Sequence, residues 1–594
     1  MSTVITHPAA DAVILGIGPM GGDVSVKLAT AGIKTVGIER GPYWDYSLDY
    51  SHAKYDEWAI IYAHRFDGPL TQHTMTLRND RTQMALPVRR YLGQAHGHGY
   101  GVGGATQHYG GQMGRYGPWV HQVLSSTVSR YGQAYLDSAV PNNDIQDWPY
   151  TYNDLVPYYK DWEMAWGVNG TDQQPFHPDS KFPMPAHPAT PLGQLYNDTT
   201  LAMGYHPHPI PTSLASQPFV NQFGVQVNAC VYDGWCSCNA FPCEVGAKAN
   251  SAYRTVPAAI KSGNFDLRTY SYVFRLDTDP VTNKVTQARY YDAAGNVHIQ
   301  PGKVFINAVQ AHQIIRLMMI SGIGSNYNPV TVSGTLGRGA VQTGGSPSRS
   351  ATGTLALGAN AYPAGNGQGG AFQFLDLADD NFDHTGKDYI GGSRVTVGAY
   401  VGSGPGGLSM AGAASANNIG SAYKASLKDR YLQTTTVLSL SPSGMFPPRK
   451  SDFIDLDPHY TDMYGDPLAR QTMANNNNGT KCSNDQAPLY QAILQKMGAT
   501  NITLGAPADA TKPSQITSWS NHTRGGLRIG ADKTLSVNNK WGEAWTAENL
   551  FAVGEGLVPV GDNTTTGGTH PVGAMAFLNA DGIKKYLASP GPLV

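Results

Sequence analysis

The alternation of short apolar runs with glycine-rich turns predicts an α/β fold. Residues 11–16 are apolar, partly β-branched and end at a glycine, which predicts a short buried strand. The pattern then predicts a helix over about 19–31 and a second strand over 34–39. Residues 303–319 are predicted to form a strand that enters a helix, and 549–556 a buried strand that ends in glycines. Strand, helix and strand in this order are typical of the start of a dinucleotide-binding fold.

Three glycines at the first strand–helix turn indicate the ligand. Gly16, Gly18 and Gly21 have the GxGxxG spacing. Such glycines permit the tight turn, the approach of a pyrophosphate to the backbone and the close packing of the helix, respectively. Glu39 ends the second strand and is expected to accept hydrogen bonds from ribose hydroxyls. The alternative is a glycine-rich turn that binds no ligand. The sequence Glu39-Arg40 at the end of this strand favours FAD as the cofactor, and Arg40 is then a further candidate for contact with it. The spacing alone leaves NAD open as an alternative cofactor.

Composition and charge exclude several classes of partner. The chain has 594 residues, with 41 Lys and Arg against 43 Asp and Glu, so its net charge of −2 gives no affinity for nucleic acid. No apolar run reaches the length of a transmembrane helix. The first residues lack the basic region and long apolar stretch of a signal peptide. We therefore expect a chain without its own export signal or membrane anchor.

A second glycine cluster, GVGGATQHYGG at 101–111, carries a resemblance to a known family. Gly103 and Gly104 would let the backbone lie against a flat ring, and Thr106 and His108 follow. The segment resembles the flavin loop of the glucose–methanol–choline oxidoreductases. The resemblance implies FAD and makes His108 a candidate for covalent attachment to it. In the alternative, His108 packs beside the flavin without a covalent link.

The C-terminal part also resembles this family. In NHTRGGLRIG (521–530), the resemblance places His522 at the position of the catalytic base, and His570 follows 48 residues later. It further implies FAD contacts from four residues outside the glycine motifs, namely Val273, Gly554, Glu555 and Pro571. Pro571 is expected in the first turn of a helix, where its missing N–H costs least.

Two histidines suit the oxidation of an alcohol. One histidine with a pKa near neutrality can accept the hydroxyl proton while hydride leaves the carbon for flavin N5. The second can hold the hydroxyl and stabilise the developing alkoxide. We therefore expect His522 and His570 to be catalytic. Arg524 is a further candidate, as a partner for a substrate carboxylate.

Three longer strings narrow the resemblance to the gluconate 2-dehydrogenase branch of the family. They are NFDHTGKDYIGGS (381–393), FIDLDPHYTDMYGDPLAR (453–470) and the terminal SPGPLV. The resemblance implies oxidation of a secondary alcohol in a sugar acid or polyol, with D-gluconate to 2-keto-D-gluconate as the first expectation. It also implies a small subunit with a twin-arginine signal, a membrane-attached cytochrome c subunit and quinone as the final acceptor. The enzyme would then work at the periplasmic face of the inner membrane.

Four of the five cysteines fall within one short segment, as Cys230, Cys236, Cys238 and Cys243. Thiolates this dense are typical of a metal or cluster site, and soft sulfur ligands suit iron–sulfur chemistry. The spacing leaves three interpretations open: an iron–sulfur cluster, a disulfide or reduced structural thiols.

The resemblance implies a Rossmann-like FAD-binding domain with an interleaved α+β substrate-binding domain. The FAD-binding domain is expected over 1–150, over 220–330 with its cysteine-rich loop 230–243, and over 540–594. The substrate-binding domain is expected over 151–219 and 331–539. Within the latter, small polar residues predict surface loops at 352–372, 401–420 and 475–480.

Two other functions remain open. The chain also resembles pyranose oxidase, and a soluble sugar oxidase of that type would pass its electrons to oxygen. A flavin-binding subunit without turnover is the other alternative, and the histidine pair argues against it.

Overall fold

The computed structural model describes most of the chain in thirteen stretches. They are residues 3–49, 75–88, 99–231, 242–342, 347–356, 369–397, 420–421, 435–442, 444–475, 477–511, 514–516, 522–560 and 568–593.

The helices of these stretches, numbered in chain order, are α1 (Pro19–Ala29), α2 (Tyr46–Asp49), α3 (Pro118–His121), α4 (Val123–Tyr131), α5 (Gln133–Ala139), α6 (Tyr152–Trp166), α7 (Pro191–Ala202), α8 (Ser251–Arg254), α9 (Val256–Lys261), α10 (Ala311–Ile320), α11 (Asn477–Lys496) and α12 (Thr569–Ala588). Short 3₁₀ turns cover Gly104–Gln107 and Glu555–Leu557. None of the helices within the described ranges is long and apolar enough to cross a bilayer.

The strands of the same stretches are β1 (Val4–Thr6), β2 (Ala10–Leu15), β3 (Thr35–Ile38), β4 (Met75–Arg78), β5 (Leu86–Val88), β6 (Asn169–Gly170), β7 (Met184–Pro185), β8 (His208–Pro209), β9 (Phe219–Val220), β10 (Gln226–Val227), β11 (Phe265–Arg268), β12 (Tyr272–Thr278), β13 (Val285–Tyr291), β14 (Val297–Asn307), β15 (Val341–Gln342), β16 (Ala351–Ala356), β17 (Phe372–Phe374), β18 (Val395–Val397), β19 (Thr435–Leu440), β20 (Phe453–Thr461), β21 (Pro467–Thr472), β22 (Thr500–Leu504), β23 (Thr523–Arg524), β24 (Glu543–Ala544) and β25 (Ala547–Ala552).

The largest sheet confirms the predicted α/β fold. Strands β11, β3, β2 and β14 run parallel side by side, and β25 joins β14 in parallel as well. Val13 is paired with Val36 on one side and Phe305 on the other. Helices α1 and α12 pack against each other beside this sheet. Strands that are covered in this way are apolar along nearly their whole length, as the sequence of β2 is.

The sheet is assembled from distant parts of the chain. Its strands lie within 4–38, 265–307 and 543–552. All three ranges fall inside the segments assigned to the FAD-binding domain. The exact domain limits stay a prediction. One difference is that β4 and β5 belong to a four-stranded sheet with β20 and β21, in which β4 pairs with β21, rather than to the large sheet.

A second hydrophobic core lies in the other part of the chain. The three-stranded sheet β19-β16-β22 packs on helix α11, and Leu355, Leu438 and Ile493 are buried between them. Two further sheets, the three-stranded β18-β17-β8 and the four-stranded β20-β21-β4-β5, also lie outside the large sheet. The architecture is therefore a Rossmann-like domain with an interleaved α+β domain, as expected.

Two of the predicted surface loops are wrong in part. Residues 351–356 form β16, the central strand of its sheet, because every second residue, such as Leu355, packs into the second core. Residues 477–480 form the first turn of α11, where Asn478 is buried and donates to the carbonyl groups of Ile390 and Met445. The segment 357–368 and nearly all of 401–420 lie outside the described residues.

Candidate active site

A cavity of about 390 Å³ opens where the parallel strands end. Its walls include Gly16 and Gly18 after β2, Glu39 after β3, Val309 after β14 and Gly554 after β25. Ligands of open α/β sheets bind in the crevice outside the carboxyl ends of the strands. The volume falls within the range typical of pockets for small molecules and cofactors.

The three glycines of the first turn have backbone geometries that are compatible with the roles that their spacing predicts. Gly16 has a φ of +84°, which favours glycine. A Cβ on Gly21 would lie 2.0 Å from the carbonyl oxygen of Gly16, so helix and turn could not approach as they do. A Cβ on Gly18 would meet no protein atom within 4 Å, because it would point into the cavity. Gly18 therefore leaves room for a ligand rather than for another part of the chain.

Glu39 is held rigidly at the cavity wall. One carboxylate oxygen accepts a hydrogen bond from the amide of Ile17 and the other from the amide of Gly41, each at 2.9 Å. Each oxygen has a second lone pair that can accept a further donor. The side chain is therefore oriented for a hydroxyl in the cavity. Arg40 lines the cavity beside it and donates to the carbonyl group of Gly99.

The second glycine loop lies directly against the first. The amide of Gly103 donates to the carbonyl group of Ile17 at 2.7 Å, and Gly103 and Gly104 both have positive φ. Gly104, Thr106 and His108 line the cavity. Gly103 has a different role, because a Cβ there would lie 1.9 Å from the side-chain oxygen of Asn250. Its absent side chain lets the loop pack against Asn250.

The remaining residues with an expected cofactor contact also gather here, with one exception. Val273 is the second residue of β12, and Gly554 and Glu555 follow β25. All three line the cavity. Pro571 is the third residue of α12 and is buried without lining the cavity. Its neighbours Thr569 and Val572 do line it, so the N-terminal turn of α12 reaches the cavity. A helix N-terminus favours negative charge on a nearby ligand.

His522 lies at the cavity wall and is exposed to it. Thr523, the next residue, also lines the cavity, and its hydroxyl lies 3.3 Å from Nε2 of the buried His312. Burial lowers the pKa of His312 to about 4, so this ring is neutral at physiological pH. Arg524 points elsewhere: it is buried, does not line the cavity and lies over the ring of Tyr116 at 5.7 Å.

The structure does not bring His570 to the cavity. Its ring is completely buried, stacks on Trp162 and meets Tyr159 edge-on. Its Nε2 lies 2.9 Å from a carboxylate oxygen of Glu163. The expected contact of His570 with a substrate is therefore not supported by this geometry. The imidazole instead pairs with Glu163, a buried charged partner on α6.

Glu163 belongs to a buried network on α6. This helix begins at a capping box, in which Thr151 and Asp154 bond reciprocally. Arg115 binds both oxygens of Glu163, at 2.7 and 2.8 Å, and reaches Asp179 at 2.6 Å. Burial raises the pKa of Glu163, but the bonds from His570 and Arg115 outweigh it and lower the pKa overall. Burial in turn lowers the pKa of His570, and Glu163 only partly opposes this.

The cysteine segment is described only at its two ends. Cys230 is half-buried, and its amide donates to Ala215; Cys243 is buried. Cys236 and Cys238 lie outside the described residues. In the described part of the chain, no three His, Cys, Asp or Glu side chains are arranged as a metal site. The iron–sulfur interpretation stays a prediction.

Sequence reasoning missed part of the cavity wall. It did not assign Gln310, Gln313 and Arg316 of the turn and helix after β14, or Tyr272 and Phe274 of β12. A signal for the first group was present, since a strand that enters a helix in a parallel sheet places its carboxyl end at the ligand crevice. The aromatic residues of β12 carry no comparable signal.

Comparisons with known proteins show what the chain is similar to. No protein-family model matches the chain. It is 30% identical over 602 residues to the gluconate 2-dehydrogenase flavoprotein of Pantoea cypripedii, which covers 98% of this chain and 95% of that protein. It is 23% identical to the fructose dehydrogenase large subunit of Gluconobacter japonicus, over 97% and 98% of the two chains.

Solved structures show the same fold. Pyridoxine 4-oxidase from Mesorbium loti matches with a TM-score of 0.58 and 14% identity, over 96% of this chain and 99% of that one. A formate oxidase matches with a TM-score of 0.59 and 12% identity, over 98% and 99%.

Proposed function

Because the chain belongs to the glucose–methanol–choline oxidoreductase family, we propose that it is an FAD-dependent dehydrogenase of a sugar acid or polyol. The observation that carries this proposal is that both glycine loops, Glu39 and His522 line one continuous cavity. The first substrate to test is D-gluconate, with 2-keto-D-gluconate as the product.

The cavity fits FAD in three respects. Gly18 leaves open the space that a pyrophosphate needs next to the start of α1. Glu39 can accept the ribose hydroxyls. The N-terminal turn of α12 favours negative charge at the other end of the cavity. When bound, FAD would supply the acceptor for the hydride of the alcohol.

The protein supplies the proton chemistry. We assign His522 as the base that removes the hydroxyl proton, because its imidazole is exposed to the cavity and histidine is the side chain that most often acts as a general base. The side chain of the neighbouring Thr523 is held by the buried His312. His570 lies outside the cavity, so the proposal does not give it a contact with the substrate.

His108 lines the cavity, which supports a covalent link to FAD or packing beside it. We further propose that the electrons pass to a membrane-attached cytochrome c subunit. In this proposal the enzyme also binds a small twin-arginine-exported subunit and works at the periplasmic face of the inner membrane. The relative named as the large subunit of fructose dehydrogenase supports a complex of several chains. A cluster bound by the cysteine segment belongs to the same proposal and is tested by iron analysis.

The test is the visible spectrum of the purified protein under anaerobic conditions. Gluconate should bleach the flavin bands of the wild type, and His522→Ala should slow bleaching by about 10² to 10⁴-fold while keeping the oxidised flavin spectrum. His206→Ala is the matched control, because His206 is also exposed but pairs with Asp376 away from the cavity. Unchanged bleaching by His522→Ala would refute the assignment of the base.

The same preparation separates the alternatives. Bleaching by neutral sugars but not by gluconate, with peroxide formed in air, would favour an oxidase of the pyranose oxidase type. Acid precipitation tests the covalent link: a yellow pellet from the wild type and a colourless one from His108→Ala would support it. A protein that binds no flavin would refute the proposal as a whole.

A further inference from the structure

The turn between β20 and β21, residues 462–466, contacts the large sheet although it belongs to the other half of the chain. It lies in the string 453–470, which has no assigned role. Its residues do not line the cavity. They contact the side chains that do.

The first contact is a buried ion pair. Arg316 of α10 lines the cavity and pairs with Asp462 at 2.7 Å; their side chains are only 5% and 3% exposed. The same guanidinium donates to the carbonyl groups of Asp466 and Pro467. Arg275 of β12 adds an ion pair to Asp466 at 3.2 Å. The turn is therefore bound to two elements of the cavity wall by charge.

The second contact is a stack of aromatic rings. Tyr464 lies between Tyr272 and Tyr291, with ring centres 5.3 and 4.7 Å apart and planes within about 23°. Phe274 stacks on Tyr291 at 4.2 Å. Tyr272 and Phe274 both line the cavity, whereas Tyr464 is partly exposed on the outside. Since Arg316 also donates to the hydroxyl of Tyr272 at 3.1 Å, the stack and the ion pair act on the same part of the wall.

This part of the wall lies next to Glu39. The amide of Ser271 donates to the carbonyl group of Glu39 at 2.8 Å, and Tyr272 follows directly. Glu39 marks the end of the cavity that is expected to hold the ribose. The contacts of 462–466 therefore support the part of the wall next to Glu39, where the adenosine is expected.

We propose that residues 462–466 form a clasp that holds the wall around the adenosine half of FAD, so that Asp462 and Tyr464 control cofactor retention without touching the cofactor. This inference rests on the proposed function. Without the clasp, Tyr272 and Arg316 would lose their outer support and the wall would open to solvent. The chain should then keep its fold, because none of residues 462–466 belongs to the hydrophobic core of the parallel sheet and its helices.

The test uses the full chain in a His108→Ala background, so that no covalent link can hide the release of FAD. The apoprotein is titrated with FAD, and separately with ADP, by fluorescence. Tyr464→Ala and Asp462→Asn should each raise the Kd for both ligands by at least 10-fold and speed FAD release. Tyr464→Phe, which keeps the ring, should restore the parent value.

Met463→Ala is the matched control, because Met463 lies in the same turn, is 60% exposed and takes no part in the ring stack. Thermal unfolding of each apoprotein shows whether a loss of FAD affinity is accompanied by a loss of stability. Kd values for Tyr464→Ala and Asp462→Asn equal to that of Met463→Ala would overturn the clasp, whatever their stability. If Asp462→Asn does not fold, the Tyr464 pair decides the question. If the parent itself binds no FAD, the proposed function fails instead of the clasp.

Discussion

The two glycines of the first turn offer the sharpest test of the dinucleotide site. Gly18→Ala and Gly21→Ala each add one methyl group, three residues apart, on the same turn and helix. The structure predicts opposite results. Gly18→Ala should leave folding intact and weaken cofactor binding, whereas Gly21→Ala should destabilise the fold.

The magnitudes follow from the space around each Cβ. At Gly21, the new carbon would lie 2.0 Å from the carbonyl oxygen of Gly16, where 3.0 Å is the shortest contact that occurs, so the backbone must move by at least 1 Å. Overpacking of this kind costs about 1–3 kcal/mol of unfolding free energy, and the better helix propensity of alanine offsets up to about 1 kcal/mol. At Gly18, φ is −70°, which alanine adopts easily, so the change in stability should stay within about 1 kcal/mol.

For FAD binding, Gly18→Ala should have the larger effect. The methyl group of Gly18→Ala would occupy the space next to the start of α1, where the pyrophosphate is expected. A loss of at least 10-fold in FAD affinity, about 1.4 kcal/mol, is expected. Denaturant unfolding of the apoproteins and FAD titrations measure the two quantities separately. Wild-type affinity in Gly18→Ala, or wild-type stability in Gly21→Ala, would refute the roles assigned to these positions.

Three further predictions concern buried titratable groups and can be checked by denaturant unfolding. Glu163→Gln should lower the unfolding free energy by about 3 kcal/mol, because it leaves the buried Arg115 without its bidentate partner; a loss under 1 kcal/mol would contradict this. Burial lowers the pKa of His121 to about 3, so the protein should lose stability as pH falls from 6.5 toward 3. This residue should contribute up to about 1.4 kcal/mol of that loss per pH unit, and His121→Phe should reduce the slope. Burial raises the pKa of Asp23 to about 7, so its contribution should fall as pH rises from about 4 to 7; an unchanged slope in Asp23→Asn would contradict this.

The parts of the site that depend on local backbone geometry could be predicted from the sequence. Gly16, Gly18 and Gly21 act within one turn, and their spacing fixes what each must do. Glu39 could be placed at the cavity because the strand that carries it runs parallel to the first one. Its two amide partners could not be predicted, because they depend on how Ile17 and Gly41 approach the carboxylate in three dimensions.

The parts that depend on packing between distant segments could not be predicted from the sequence. Helix α11 shows this for the fold: NNNNGT has the composition of a loop, yet the carbonyl groups of Ile390 and Met445 supply partners for Asn478 and make a helical turn favourable. A local pattern cannot show such partners, because they come from residues more than 30 positions away. The same reason explains why β16 was assigned to a loop.

The position of His570 differs from the one that its motif predicts, because its ring packs against α6 and does not line the cavity. Gly573 allows Trp162 to approach α12 so closely that a Cβ there would lie 2.2 Å from the indole ring. This approach brings Glu163, the next residue of α6, within hydrogen-bond distance of His570. A charged, buried acceptor holds the imidazole more firmly than a solvated cavity can. The direction of His570 therefore depends on Gly573 and on Glu163, which comes from a distant part of the sequence. The start of α12 reaches the cavity through Thr569 and Val572 instead.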